Sequence, residues 1–301
     1  MLQSLLVVTR LAVLADIHGN LPALEAVLAD LTQFRMDQVV VAGDAINWGP
    51  FSAQVMEQVT AGSWAAVRGN NEYYLLDYAT ARAPAAWNDR AQWPLLPWLQ
   101  RQLAGPAHAR IAAWPDSLSL RFPDAPPIRV VHGTPRSHSE PLYPAPLSTD
   151  AEVAAMLAGV DEPVVIAGHT HLPLDRTVGA WRVLNPGSVG VPLDGRHCGR
   201  YLLLEAGAGA WQAEFRAVPI DPAPVLAEFE RQGFLEACGV IGRLVMDEFV
   251  TARLELHPFI RWHAAVCPER PLTMDLLADW AAADREPWVL PAYRPPPVSL
   301  P

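Results

Sequence analysis

The side chains of this 301-residue chain best suited to metal coordination come in a fixed order: Asp16-x-His18, Gly43-Asp44, Gly69-Asn70, His132 and Gly168-His169-Thr170-His171. Carboxylate, imidazole and amide groups are the donors that hold divalent transition metals, and seven of them suffice for two ions. Two such ions about 3.5–4 Å apart can clamp the attacking and leaving oxygens of an in-line displacement at phosphorus. A pair needs a shared carboxylate. Asp44 is the expected bridge, because the glycine beside it leaves both of its oxygens unobstructed. Asp16, His18 and His171 are then expected around one ion, and Asn70, His132 and His169 around the other. Manganese leads the expectation, with iron, zinc or nickel as alternatives, since mixed nitrogen and oxygen donors suit calcium and magnesium less well.

Most of these donors close a short apolar run: Leu11 to Ala15, Val39 to Ala42, Ala65 to Val67, Ile128 to Val131 and Val164 to Ala167. Runs rich in Val, Ile, Leu and Ala read as strands buried on both faces, whose ends can hold side chains rigidly in one plane. From Pro22 to Phe34 the apolar residues Leu24, Val27, Leu28 and Leu31 share one helical face, which completes a strand–helix unit. A second helix of about two turns runs through Val55 and Val59, and another starts near Asp150. The result is an α/β layout with ligands at the carboxyl ends of strands. Residues 73–115, with four tryptophans among prolines and alanines, read as a helical insertion or cap over the site. From Trp181 the pattern turns to hairpins: Arg182 to Leu184, Arg200 to Glu205 and Trp211 to Val218 are expected as antiparallel strands. Two units follow: residues 1–219 carry the site, and 220–301 form a helical extension packed on the same domain. In the extension Leu226, Phe229, Leu244, Val245 and Phe249 are expected to point inward, and Pro287 to Pro301 forms a proline-rich strap or tail.

The formal charge of −10 and pI near 5.3 argue against a surface that neutralises nucleic-acid phosphates non-specifically. The expected partner is a small phosphorylated substrate, including a nucleotide, with the metals supplying the positive charge. Oligomeric state is not legible. Cys198, Cys238 and Cys267 are odd in number and widely spaced, which fits a reducing compartment. The apolar opening is interrupted by Arg10 with no cleavage pattern after it, and no run reaches membrane-span length, so the expected location is the cytoplasm. Nucleotide-binding Gly-rich loops, His-Glu-x-x-His and Cys-x-x-Cys are all absent from the sequence, which removes P-loop motors, dehydrogenases and zinc proteases.

The ordered set resembles the calcineurin-like metallophosphoesterase superfamily, whose pattern is D-x-H, G-D, G-N-H, H and G-H-x-H. Gly49-Pro50, His132-Gly133-Thr134-Pro135-Arg136 and Asn185-Pro186-Gly187-Ser188-Val189-Gly190 are similar to its compact bacterial and archaeal branch. The resemblance spans roughly Leu11 to Val218. It implies a four-layer αββα sandwich of two mixed sheets flanked by helices, and the same seven ligands. It also implies hydrolysis of phosphomonoesters or phosphodiesters by a hydroxide bridging the two ions.

One position departs from the pattern. Asn71 stands where much of the superfamily has a histidine that serves the leaving group, and an amide can only hydrogen-bond. The expectation is a preference for leaving groups that depart without protonation, unless His138 or His197 supplies the proton. Arg68 precedes Gly-Asn as in the phosphoprotein-phosphatase branch, so it either contacts phosphate or pairs with a surface carboxylate. Asn185 is expected to hold a ligand histidine from behind. The tryptophans are either core or a stacking surface for a nucleobase. Two alternatives to simple ester hydrolysis stay open: a nucleotide-polyphosphate or phosphoprotein phosphatase, and a non-catalytic metal-binding scaffold such as the superfamily's retromer subunit.

Overall fold

A computed structural model describes residues 8–103 and 105–294. The expected βα units are present: β1 (Arg10–Leu14), α1 (Leu21–Leu31), β2 (Gln38–Val41), α2 (Ser52–Ala61) and β3 (Ala65–Ala66). Helix α1 starts at an Asn20 cap, whose Oδ1 accepts the Ala23 N–H at 3.1 Å, with Pro22 in the first turn. Helices α3 (Asn70–Asp77), α4 (Leu95–Gln102) and α5 (Pro106–Ala113) follow. The second half holds β4 (Leu118–Leu120), β5 (Ile128–Val130), α6 (Asp150–Met156), β6 (Val164–Ile166), β7 (Leu174–Val178), β8 (Trp181–Asn185), β9 (Cys198–Gly207) and β10 (Ala210–Pro219). Helices α7 (Ala223–Arg231), α8 (Phe234–Thr251), α9 (Leu256–Val266) and α10 (Leu276–Ala282) end the chain, before two short 3₁₀ turns.

Two mixed five-stranded sheets result, ordered β10-β9-β1-β2-β3 and β4-β5-β6-β8-β7. In the first, β1, β2 and β3 run parallel and β9 is antiparallel to β1. In the second, β5, β6 and β8 run parallel, with β4 and β7 antiparallel at the two edges. Strand alternation sorts the side chains into layers. Leu11, Val13, Val40, Leu202 and Leu204 of one sheet meet Ile128, Val130, Val164, Ile166 and Leu184 of the other. Ala12, Leu14, Val41 and Leu203 face the opposite way, onto α1 and α2 through Leu24, Val27 and Val55. Val165 and Val183 pack on Val153 and Leu157 at α6. The molecule is therefore the four-layer αββα sandwich. Strands β4 and β7 add to the expected set; both carry polar residues on an edge, so neither shows a continuous apolar run.

The helical C-terminal part builds its own clusters. Val225, Phe229, Phe234, Val245 and Phe249 pack with Trp98, Val191 and Leu193, and Leu226 is partly buried against them. Leu244 joins Phe259, Trp262 and Trp280 in a neighbouring group. The tail reading falls partly on 295–301, which lie outside the described residues, as do 1–7 of the apolar opening. No helix among the described residues is long and apolar enough to cross a membrane.

Candidate metal centre

The turns that follow the strands are stitched to one another by backbone. The N–H groups of Asp16 and His18 donate to Gly43 and Asp44 carbonyls at 3.1 and 3.0 Å, and that of Gly168 donates to the His132 carbonyl at 2.7 Å. Val189 and Gly190 N–H groups reach back to Ala15 and Asp16, both at 3.0 Å. These contacts bend the chain sharply: Asp16, His18, Asp44, His169 and His171 all have left-handed φ, between 49° and 68°. Left-handed backbone at non-glycine residues persists only where the surroundings over-determine it, and such residues cluster at functional sites.

The side chains gather in two groups, Asp16 with His18 and His171, and Asp44 with His132 and His169; within each, the potential ligand atoms lie within 4.8 Å of one another. Asn70 joins the second group, its Oδ1 3.2 Å from His132 Nε2. The groups adjoin: His18 Nε2 lies 3.7 Å from Asp44 Oδ2, and His132 Nε2 lies 3.2 Å from the same oxygen. The structure thus brings all seven residues together with Asp44 between the two clusters.

Ring nitrogens point the right way for a cation. His132 Nδ1 lies 2.8 Å from the Ala42 carbonyl and His171 Nδ1 lies 2.6 Å from that of Val191. A carbonyl accepts, so each Nδ1 carries the hydrogen and each Nε2 presents a lone pair when the ring is neutral. His171 Nε2 then faces His18 Nε2 at 3.1 Å and Asp16 Oδ1 at 3.4 Å. Lone pairs packed this tightly in a buried site need either protons or a cation among them, so the residues present fit divalent ions.

Electrostatics agree. Burial pushes His18 down to about 4 and His169 down to about 3, the latter helped by the charge on His132, and it lowers His171 far below its usual range. These rings stay neutral, as ligands must. Burial works against protonation at His132 too, but Asp44 and Asp16 outweigh it and push that imidazole up to about 10. Burial would raise Asp44, yet the neighbouring His132 and His18 hold it well below the carboxylate range. Asp16 is raised by burial and by the charge on Asp44. Without metal, a proton on His132 occupies the role that a divalent ion fits.

Several residues behind the donors set their aim. Asn71 donates from Nδ2 to Asp44 Oδ2 at 2.5 Å and from its N–H to Oδ1 at 2.9 Å, while its own Oδ1 accepts from Asn47. Glu72, fully buried, accepts the N–H groups of Asp44, Ala45 and Gly69 at 2.7–2.9 Å. Burial and the charge on Asp44 push this carboxyl up to about 7. Glu72 stands three residues after Gly69, the spacing of a helix-capping acid, and that spacing is the signal that could have singled it out. Asn185 bonds the Gly168 carbonyl and Thr170 Oγ1, so it braces the backbone around His169 and His171 and does not touch a ring. Arg68 pairs with Asp116 at 2.8 Å and lies over the Tyr73 ring. His138 stacks on Tyr73, and His197 Nε2 lies 3.0 Å from the Val250 carbonyl; neither lines the cleft.

The donors open into a cleft of about 260 Å³. Its upper walls contain Trp48, Tyr74, Tyr143, Leu193, Leu254, His257, Leu290 and Tyr293, none of them nominated as a site residue by the sequence. Trp48 stacks on His18 with ring centroids 4.9 Å apart. Of the described residues between 73 and 115 only Tyr74 lines this cleft, whereas the C-terminal part contributes Leu254, His257, Leu290 and Tyr293. The Tyr293 hydroxyl donates to the Thr170 carbonyl at 3.0 Å, which ties the end of the described chain to the metal-donor loop.

Comparison with known proteins gives the same picture. A metallophosphoesterase from Sphaerobacter thermophilus has a similar fold, with TM-score 0.63 and 23% identity over 81% of this chain and 99% of that one. A hypothetical protein of Pyrococcus horikoshii superposes with TM-score 0.66 and 18% identity, covering 77% of this chain and 97% of its own. An uncharacterized protein of Methanocaldococcus jannaschii is 23% identical over 232 residues, 66% of this chain and 84% of that protein. Residues 10–209, which carry all seven donors, match the calcineurin-like phosphoesterase superfamily domain, and the chain belongs to that superfamily.

Proposed function

We propose that this protein is a phosphoric ester hydrolase that works with two divalent metal ions on phosphomonoesters or phosphodiesters. The observation that carries the reading is the pair of adjoining clusters, with Asp44 of one 3.7 Å from His18 of the other and the Nε2 atoms of His132 and His171 freed by Nδ1–carbonyl hydrogen bonds. Asp16, His18 and His171 would hold one ion, and Asn70, His132 and His169 the other. Bound ions would supply an acidified water at neutral pH and positive charge for the phosphate oxygens. Manganese remains the favoured metal.

The chain's own residues do the rest. Asn71 fixes the Asp44 side chain by donating to each of its oxygens, and Glu72 fixes its backbone N–H. Asn71 is assigned to positioning Asp44 and to hydrogen-bonding a leaving oxygen without protonating it. Arg68 is paired with Asp116 and does not line the cleft, so the phosphate charge is assigned to the metals. Residues 220–294 act as an extension of the same domain that walls the cleft. A cytoplasmic setting goes with the unpaired Cys198, Cys238 and Cys267.

Metal analysis of the purified protein, combined with hydrolysis of aryl phosphate mono- and diesters in manganese, tests the reading. Two ions per chain are expected, with turnover abolished by chelation and restored by manganese. Tight metal binding without turnover on any phosphoester would favour the scaffold alternative instead.

A further inference from the structure

Away from the metal donors, a second hollow of about 360 Å³ lies where α2, α4 and the residue after α7 meet. No Asp or Glu lines it among the described residues. Its α4 wall is Trp98, Arg101 and Gln102, which share one helical face because positions i, i+3 and i+4 are neighbours on a helix. Trp98 is only 5% exposed, yet its indole N–H has no hydrogen-bond partner among the described residues, and neither has Gln102 Nε2. Gln102 Oε1 accepts the Ser52 N–H at 3.0 Å, which fixes the amide so that its donor end is the one left over. Arg101 is exposed, forms no ion pair among the described residues and lies over the Trp98 ring, 5.2 Å from its centroid. The opposite wall is the start of α2, with Pro50, Ala53 and Gln54. Phe51 at its N-cap offers no side-chain acceptor, and the N–H groups of Ala53 and Gln54 have no partner among the described residues. A helix end of this kind carries partial positive charge. Gln232 closes the hollow by donating to the Pro50 carbonyl at 3.1 Å; Glu228, which also accepts from it, is paired with Arg231.

We infer that this hollow is a binding site for a small organic oxyanion, whose carboxylate or phosphate-type group accepts from Trp98, Gln102 and Arg101 while its carbon part lies against Pro50 and Ala53. A buried donor without an acceptor destabilises the fold, so a ligand that brings acceptors is favoured there. Indole, amide and guanidinium groups all donate, and a planar guanidinium suits two oxygens of one anion at once. The uncapped start of α2 adds to the same preference, since helix N-termini attract anions. A cation would find no carboxylate to pair with. Size sets the class of ligand: about 360 Å³ lies near the lower end of the roughly 300–1,000 Å³ of ligand pockets, which suits a molecule built on a single ring or short chain.

The test follows the indole N–H signals of the 11 tryptophans by NMR in nitrogen-labelled, zinc-loaded protein, with Trp98→Phe identifying the Trp98 signal by its loss. Benzoate, phenylphosphonate and benzylamine are titrated in turn, the last as a cation of similar shape. Benzoate or phenylphosphonate should shift the Trp98 signal to saturation, and benzylamine should leave it in place. The tighter of the two acids tells whether the hollow takes a carboxylate or a phosphate-type group. Arg101→Ala, at an exposed position, and Gln102→Leu should each weaken that binding about tenfold, the weight of a hydrogen bond to a charged group. A Trp98 signal that neither acid moves would mean that water already satisfies this N–H, and would overturn the inference. Equal binding of benzylamine, or unchanged affinity in both variants, would overturn it as well. Phenylphosphonate held only at the metal floor would shift other signals and leave that of Trp98 in place, which also counts against the site.

Discussion

The floor of the cleft and its rim are built by opposite means. Floor residues come from turns of the sheet ends, with left-handed backbone, buried charge and a dense set of hydrogen bonds. Half of the rim, Leu254, His257, Leu290 and Tyr293, comes from the C-terminal part, where Leu254 and Tyr293 pack against the apolar cluster around Phe229 and Phe249. Strain and fixed polarity suit chemistry that tolerates no misplacement of donors. Apolar packing suits a surface that only has to choose what enters. On the proposed reading, reactivity and selectivity reside in separable parts of the chain.

Substitutions on the floor should have the largest effects. Asp44→Asn removes the shared carboxylate charge and should lower turnover on the order of 10³-fold, with fewer than two ions bound by metal analysis. If this variant retained both ions and near-normal rates, the two-cluster arrangement would be wrong.

Gly69→Ala probes how tightly the floor is packed. A Cβ there would stand 2.1 Å from Asp44 Oδ1, so the bridge must move. Metal affinity or activity should fall about 10- to 100-fold, as when supporting contacts of a metal site are lost. Unchanged titration curves for manganese would show that the floor is more compliant than its contacts indicate.

Asn71→His separates positioning from proton donation. It removes the amide between Asp44 and Asn47 but installs an acid. The ratio of alkyl to aryl phosphate turnover should rise about tenfold or more, since proton transfer matters most for poor leaving groups. Equal changes on both substrate types would reject the idea that the amide dictates leaving-group choice.

The smallest effect should come from beneath the rim. Glu248 is fully buried and accepts the N–H groups of Glu255 and Leu256 at 2.9 Å each, tethering the segment that carries Leu254 and His257. Burial pushes its carboxyl up to about 8, above its ordinary 4.5. The folded state therefore binds the proton more tightly than the unfolded one. The associated stability is full below about 4.5 and is lost as pH rises through about 8. Glu248→Gln escapes this loss, so its melting temperature should exceed that of the wild type by a few degrees at pH 9 and not at pH 5. Parallel melting curves across that range would mean that Glu248 does not titrate in the fold.

The same contrast explains how much could be read from the sequence. Most floor donors close an apolar run or sit one residue from a glycine, so type, order and spacing singled them out together with an α/β layout, while the two-sheet sandwich followed from the family resemblance. Rim residues carry no local mark. Leu254, His257, Leu290 and Tyr293 stand more than 80 residues after His171 and reach the cleft only through helix packing, which no spacing rule encodes. Glu72 lay between these cases, visible as a capping acid but not as the clasp of two turns. Trp48 carries no mark of its own in the sequence, because its stacking on His18 depends on two turns meeting in space.

The left-handed turns at Asp16, His18, Asp44, His169 and His171 restrict the alphabet of this centre before any question of metal affinity arises. Asn, Asp and His are the non-glycine residues most at ease in that conformation, whereas β-branched or bulky ones are outliers there. An engineer who wanted to retune metal preference by introducing new ligands would be opposed by the main chain at five of the seven places. Asn70 and His132 are the two at which it would not resist.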